Sequence, residues 1–373
     1  MKKRVLIITE AISYGGLNIA AIKFQQYLNK DKFECVFCVR RNDTGELEQE
    51  ILNKGIKVIH VPDSELGYLK SYIFYKKIMQ QEHFDIVHCH LPFISGIVLF
   101  AARQCGIKKR VAHAHFSQAY TDVSIYSKKK QLIAVIYRKI MRVFLKMFCN
   151  EKIACSRQAG EFLFGKREFE KNGTVLNNGI ETENFIYDDT VRNNTRAQLN
   201  IPSTSCVLGH IGQLYSVKNQ SFVIDVFNEF HKINNNSCLL IIGDGTDREI
   251  LEQKTDSLNL TDCVRFLGLR RDVARLYQAM DCFVFPSIHE GFPLTLIEAQ
   301  ASKLPCIISD TVAKETKINE NIEFLSVNEP PRVWAEKILQ MVKLPREQTD
   351  NSQLIKKYDI KNITLELENI YLN

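Results

Sequence analysis

Residues 5–28 read VLIITEAISYGGLNIAAIKFQQYL, and three elements follow one another in that stretch. Val5-Leu6-Ile7-Ile8-Thr9 is a short continuous apolar run, the pattern of a strand buried on both faces. Ser13-Tyr14-Gly15-Gly16 is a turn, and behind it Leu17, Ala20, Ala21, Phe24 and Leu28 recur at three- and four-residue spacing, giving one apolar face of a helix. The unit repeats: residues 35–39, 57–61, 86–90 and 110–115 read as further buried strands with helix-length amphipathic segments between them. Strand, helix and strand in repetition imply right-handed crossovers and a parallel sheet covered by helices on both faces.

A second series begins near Cys206, with strands expected at 207–211, 238–242, 264–267, 282–285 and 306–309. Between the series, residues 181–205 carry Asp188-Asp189, Asn193-Asn194 and Pro202, a composition that suits a surface linker. The chain of 373 residues is therefore expected to be α/β, with two Rossmann-like doubly wound domains facing a cleft, 1–180 and 206–351. Leu354, Ile355, Tyr358, Ile363, Leu367 and Ile370 predict one terminal helix over 352–373 that docks back. Ligands of such sheets bind beyond the carboxyl ends of the strands.

Composition excludes other classes. Apolar residues at 45% and charged residues at 25% are globular values, and a net charge of +6 falls short of a dedicated nucleic-acid binder. Eleven cysteines lack metal-ligand spacing; Cys35, Cys38, Cys238 and Cys282 lie in apolar runs and read as buried thiols of a reducing compartment. The apolar run after Met1-Lys2-Lys3-Arg4 is too short for an export signal, so a cytoplasmic protein is expected.

Chemistry is sought after the strands. His289-Glu290-Gly291-Phe292-Pro293-Leu294-Thr295 follows the strand at 282–285 and leads into a helix holding Glu298. Amides at an open helix N-terminus attract phosphate or sugar hydroxyls; for two isolated glutamates, surface pairing and turn capping are the plainer roles. Gly15-Gly16 before the first helix allows close backbone approach to a diphosphate, and an ordinary tight turn accounts for it equally.

The string Phe266-Leu267-Gly268, Asp272-Val273, Leu276-Tyr277, Asp281 to Ser287 and Glu290-Gly291-Phe292-Pro293-Leu294 to Glu298-Ala299 closely resembles the family 4 retaining glycosyltransferases, enzymes of GT-B architecture. The resemblance continues through Val175 to Ile180, Gly243-Asp244-Gly245 and Ala301 to Pro305. In the first half it is carried by Gly15-Gly16, Asp85 to His90 and Arg110 to His115, and capsule and exopolysaccharide enzymes are the most similar branch.

The resemblance implies that Glu290 contacts the donor sugar, Glu298 the nucleotide ribose, and the amides of Phe292, Leu294 and Thr295 the sugar and diphosphate. Carboxylates suit a diol because they accept paired hydroxyl hydrogen bonds. Lys218 matches the diphosphate lysine, whose charge would stabilise the departing nucleoside diphosphate. Asn219 and Arg270 are assigned to the donor site with it, and His115 resembles the histidine beside the sugar. One departure is Gln213, where the family has arginine: an amide donates to phosphate but supplies neither charge nor a planar fork.

His88, His90, His113 and His115 lie at two strand ends with alternate spacing, which places each pair on one sheet face. Zinc is one reading and hydrogen-bonded packing the other; the resemblance implies no metal and no cofactor beyond the nucleotide-sugar co-substrate. Residues 127–149 form a basic amphipathic helix, with Lys128, Lys129, Lys130, Arg138, Lys139, Arg142 and Lys146 among Leu132, Ile133, Ile136, Ile140, Val143, Phe144 and Phe148. Attachment to an anionic membrane and a solvated domain face both fit it.

The expectation is a hexosyltransferase taking a UDP-linked sugar to a lipid-linked or saccharide acceptor in surface-polysaccharide assembly, with no nucleic-acid partner. The alternatives are a non-catalytic donor-binding subunit, raised by Gln213, and a nucleotide-sugar epimerase, which also uses two Rossmann-like halves. Acceptor choice is expected to reside in loops such as 116–126.

Overall fold

The computed structural model describes residues 2–13, 16–41, 43–62, 67–115, 128–290 and 292–373. The chain divides into two compact units, Met1–Gly179 with Ile360–Asn373, and Ile180–Asp359.

In the first unit the order is β1 (Lys3–Thr9), α1 (Gly16–Tyr27), β2 (Phe33–Val39), α2 (Glu48–Asn53), β3 (Val58–His60), α3 (Tyr68–Glu82) and β4 (Ile86–Cys89). There follow α4 (Ser95–Gln104), β5 (Lys109–Ala114), α5 (Lys128–Phe148), β6 (Glu151–Ala154), α6 (Arg157–Phe164), α7 (Lys166–Asn172) and β7 (Gly173–Val175). Its parallel sheet runs β3-β2-β1-β4-β5-β6-β7, with Val5 opposite both Cys35 and Ile86. Strand residues are apolar on both sides because both are covered: Leu6, Ile8 and Val87 face one helical layer, and Val5, Ile7 and Ile86 face another that includes Phe24 of α1.

The second unit begins with α8 (Asp189–Gln198), then β8 (Cys206–Ile211), α9 (Gln220–Ile233), β9 (Ser237–Ile242), α10 (Arg248–Ser257), β10 (Val264–Gly268), α11 (Val273–Ala279) and β11 (Cys282–Phe285). It continues through α12 (Leu294–Ala301), β12 (Cys306–Ser309), β13 (Ile322–Leu325), α13 (Pro331–Met341) and α14 (Ser352–Tyr358). The sheet order is β10-β9-β8-β11-β12-β13, again parallel. In both sheets the strand order reverses beside the first strand, between β1 and β4 and between β8 and β11, which is where a doubly wound sheet opens a ligand crevice.

Two expectations are corrected. Residues 181–205 are not a bare linker: they hold a 3-10 turn, Thr182–Phe185, and α8, with Phe185 and Ile201 in the core. The stretch looks solvated because arginines anchor it. Arg196 donates to Ala279 O at 2.9 Å and to Asp281 Oδ2 at 2.7 Å, Arg192 also pairs with Asp281, and Asp188 caps the helix through the amides of Thr190 and Val191. The terminal segment is two helices, broken at Asp359. Tyr358 of α14 stacks on Phe292 in the second unit, whereas α15 (Ile360–Leu372) packs beside α1 in the first and buries Ile363, Leu367 and Tyr371. The chain thus passes between units twice, at Gly179/Ile180 and at Asp359/Ile360.

Cys38, Cys238 and Cys282 are buried as free thiols and Cys35 is half-buried; burial pushes the Cys35 thiol up to about 12.

Candidate functional site

In the second unit, residues that follow β8 and β11 meet across the reversal point. Lys218 sits in the 3-10 turn Ser216–Lys218 after β8, and its Nζ lies 2.6 Å from Oε1 of Glu290, 72 positions later in the loop after β11. The ammonium also stands 5.7 Å from the centre of the Phe285 ring. Asn219 adopts a left-handed backbone, φ 59°, and its side-chain amide donates to Pro286 O at 3.2 Å, while Ile288 N donates to Val217 O at 2.9 Å. Those two bonds tie the loops together, so the register of Lys218 on Glu290 is set by backbone and not by flexible side chains alone.

Gly243 follows β9 with φ 133°, and a Cβ there would fall 2.0 Å from Gly212 O. Glycine is required there for the two strand ends to converge. His210 at the end of β8 accepts or donates through Nδ1 to Val284 O at 2.9 Å; because a carbonyl can only accept, Nδ1 carries the proton and Nε2 keeps its lone pair. That Nε2 is buried and unpartnered, 3.5 Å from where a Cβ on Gly212 would sit, beside the methylenes of Lys218. Burial, with Lys218 adding to it, holds this imidazole at about 4. His210 is a site residue that sequence reading missed; its signal was a polar ring inside the apolar run that precedes Gly212.

Glu298 lies one turn inside α12, which starts at Leu294. Tyr277 from α11, fully buried, reaches it: the phenol oxygen is 3.2 Å from Glu298 Oε2 and 2.8 Å from Thr295 O. Pro293 precedes α12 and offers no side-chain cap, so the first amides of the helix, at Leu294 and Thr295, are open to a ligand. Phe292 is half-buried against Tyr358. Arg270, after β10, is held in a two-pronged pair with Asp272, both contacts 2.7 Å. Gln213 is exposed, and its backbone oxygen accepts from Gln220 at 2.8 Å.

In the first unit the four histidines form two stacked rows. His88 Nε2 meets His113 Nδ1 at 3.1 Å, and His88 Nδ1 meets the Tyr371 hydroxyl at 2.5 Å; His90 Nδ1 meets His115 Nε2 at 2.8 Å. The rows lie on each other, with ring centres of His88 and His90 4.1 Å apart and of His113 and His115 4.2 Å apart. Nitrogens of His88, His90 and His113 come within 4.8 Å of one another. Near-parallel rings, however, direct their in-plane lone pairs side by side and not at a common point, and His88 is bonded on both nitrogens, a set suited to hydrogen bonding more than to coordination. Burial holds His88 and His115 at about 3, and neutral. Nδ1 of His115 is buried without a partner at the strand's end. Gly16 opens α1 with free space where a Cβ would be, whereas Gly15, Gly291 and the loop 116–126 lie outside the described residues.

Two family models match the chain: Glycosyltransferase Family 4 over residues 14–184, and Glycosyl transferases group 1 over residues 191–358. The chain is 31% identical over 343 residues to the Bacillus subtilis (strain 168) protein named as glycosyltransferase EpsF, covering 90% of this chain and 87% of the relative. It is 23% identical to the capsular polysaccharide biosynthesis glycosyltransferase CapH of Staphylococcus aureus, across 99% of each. Identity to the Escherichia coli UDP-Gal:alpha-D-GlcNAc-diphosphoundecaprenol alpha-1,3-galactosyltransferase is 27%, covering 79% of this chain and 76% of that one. Among solved structures, HepE of Anabaena in complex with UDP superposes with a TM-score of 0.78 at 17% identity, over 99% of each chain.

Proposed function

The chain belongs to the family 4 glycosyltransferases of GT-B architecture, and from that premise we propose that it moves a hexose from a UDP-linked donor, with retention, to a lipid-linked or saccharide acceptor in surface-polysaccharide assembly at the inner face of the membrane. The observation that carries the proposal is the Lys218–Glu290 pair at the carboxyl ends of β8 and β11, beside the uncapped start of α12.

Glu290 accepts hydroxyl hydrogen bonds of the donor sugar, and Glu298, oriented by Tyr277, accepts those of the ribose. Lys218 and the amides of Phe292, Leu294 and Thr295 stabilise charge as the sugar–phosphate bond breaks and negative charge gathers on the leaving diphosphate. The resemblance assigns Gly15 and Gly16 to diphosphate binding as well. The anomeric carbon becomes oxocarbenium-like; an acceptor hydroxyl attacks the face the diphosphate leaves, and the diphosphate oxygen takes its proton. His115, neutral, holds the sugar through its ring nitrogen instead of acting as a titrating base. Gln213 and Asn219 complete the phosphate loop and Arg270 the nucleotide side. Charge neutralisation by lysine and amides makes a metal unnecessary, so transfer is expected to persist in a chelator.

The experiment is a panel of nucleotide sugars with and without a membrane lipid extract, reading nucleoside diphosphate release. Acceptor-dependent release from one donor supports the proposal. Exposed Gln213 in the arginine position favours a second reading, a donor-binding subunit without turnover. Binding without release selects it, and restored release in Gln213→Arg would identify the missing charge as the cause. A changed sugar without acceptor would indicate an epimerase.

A further inference from the structure

The two histidine bonds across β4 and β5 repeat one another: each joins residues 25 apart, His88 to His113 and His90 to His115. Alternate residues of a strand face the same side of the sheet, so the second bond lies beside the first, two residues further along both strands. His90 and His115 directly follow β4 and β5, at the carboxyl ends where ligands of such sheets bind. Their outer nitrogens, His90 Nε2 and His115 Nδ1, are buried and have no partner.

Proton counting fixes the polarity of this outer bond. A neutral imidazole carries one N–H, and burial keeps both rings neutral. One proton therefore lies between His90 Nδ1 and His115 Nε2, 2.8 Å apart, and the second nitrogen of each ring takes the role opposite to the first. If His115 donates, Nε2 of His90 is left as an N–H without an acceptor, on a residue only 1% exposed. If His90 donates, only a lone pair is left there, and the free N–H sits on Nδ1 of His115, which is half-buried at the end of its strand. An N–H without an acceptor is the rarer defect of a protein interior, so the second arrangement holds. The ring that sets it is itself fixed. His88, bonded to Tyr371 of α15 and to His113, stacks on His90 at 4.1 Å, and Phe24 of α1 stacks on it at 6.3 Å.

We propose that His90 is a positioning residue: it donates from Nδ1 to His115 Nε2 and so fixes His115 as the Nδ1–H tautomer, which offers a hydrogen bond to a ligand oxygen. For the sugar this rests on the transferase reading above. His115 then holds a hydroxyl by the oxygen's lone pair and, with its own lone pair occupied by His90, does not take the proton of the acceptor.

The test reads ring tautomers by NMR near neutral pH in the whole protein carrying isotope-labelled histidine, the His115 signals being identified by their loss in His115→Asn. Native His115 is expected to show a protonated Nδ1 and a bare Nε2; the reverse, or protons on both, overturns the proposal. His90→Phe keeps a ring in the stack without nitrogens, and His115 should lose its uniform Nδ1–H form; retention of that form also overturns it. His90→Asn returns an amide donor near the place of Nδ1 and should restore the tautomer. In turnover, His90→Phe should raise the donor KM about fivefold, the effect of one hydrogen bond, with UDP affinity unchanged because UDP has no sugar, and His90→Asn should bring the KM back. Equal losses in the two variants would reduce His90 to packing. If His90→Phe does not fold, the native spectrum and His90→Asn decide. Absence of UDP binding and of turnover in the native chain would count against the transferase reading, whereas the tautomer measurement needs neither and judges the role of His90 by itself.

Discussion

At the scale of single residues, the proposed site rests on charges brought together from distant positions. Lys218 and Glu290 are paired in the free protein, so under the proposed function a donor diphosphate must draw the ammonium from the carboxylate. The pair holds both side chains in place before a donor arrives. Lys218→Ala and Glu290→Ala are expected to cut transfer by two orders of magnitude or more, as loss of a donor aimed at transition-state charge does, roughly 3 kcal/mol, in variants that remain folded; Lys218→Ala also lowers the melting temperature because it takes the cation from the buried Glu290 carboxylate. Tyr277 acts through Glu298, so Tyr277→Phe should raise the donor KM roughly five- to tenfold, about 1 kcal/mol for one hydrogen bond, and leave kcat nearly intact. An unchanged KM would mean that Glu298 does not depend on that phenol. Lys218, Glu290 and Glu298 were legible because they lie in a motif. His210 was not, because a histidine in an apolar run reads as core until its unpartnered nitrogen is seen beside Gly212.

At the scale of elements, most strands were read from their apolar runs, among them β3, β4, β11 and β12 with only three or four residues, whereas β6, β7 and β13 were passed over. β1 and β2 each have seven residues with continuous apolar runs, whereas β6 is Glu-Lys-Ile-Ala, β7 is Gly-Thr-Val and β13 carries a charge at its second position. In the last three, register with a neighbouring strand supplies what local pattern lacks. Helix α8 was hidden for a different reason: it is held through guanidinium groups, and a periodicity argument weighs apolar residues. That gives a prediction. Arg196 bridges Ala279 O, Ser205 O and Asp281, so Arg196→Ala takes one of two guanidinium partners from Asp281, which keeps Arg192 and the amide of Val207, and takes a donor from the carbonyls. Buried acceptors left without a donor cost about 1–3 kcal/mol each, and chemical unfolding of Arg196→Ala should show a loss of at least about 2 kcal/mol; a loss below about 1 kcal/mol would return the segment to the status of a linker. The terminal helix was misread because apolar spacing continues through Asp359, where the backbone turns extended and the two halves part to different units.

For the molecule as a whole, both sheets keep buried imidazoles neutral, which makes stability depend on acidity. Burial holds His88 and His115 at about 3 and His210 at about 4, and lowers His90 and His113 well below the ordinary value near 6.5. In the unfolded chain these rings take up protons near pH 6.5, so below that pH the unfolded state binds more protons and folding stability falls. The loss runs from about 6.5 down toward 3 and is on the order of 1 kcal/mol per histidine by pH 5.5. The melting temperature should therefore drop clearly between pH 7.5 and 5.5; a flat profile would mean that the histidine rows are solvated or protonated in the fold. The two sheets, their reversal points and the loops after β8 and β11 converge on one claim, that the second unit binds a nucleotide sugar and promotes its cleavage through Lys218 and Glu290. The most direct measurement is acceptor-dependent UDP release from the preferred donor by the native chain and by Lys218→Ala, side by side with donor binding by calorimetry. The account predicts release by the native chain and at least a hundredfold lower kcat in the variant; donor binding with no release by the native chain, or equal turnover in both proteins, would contradict it.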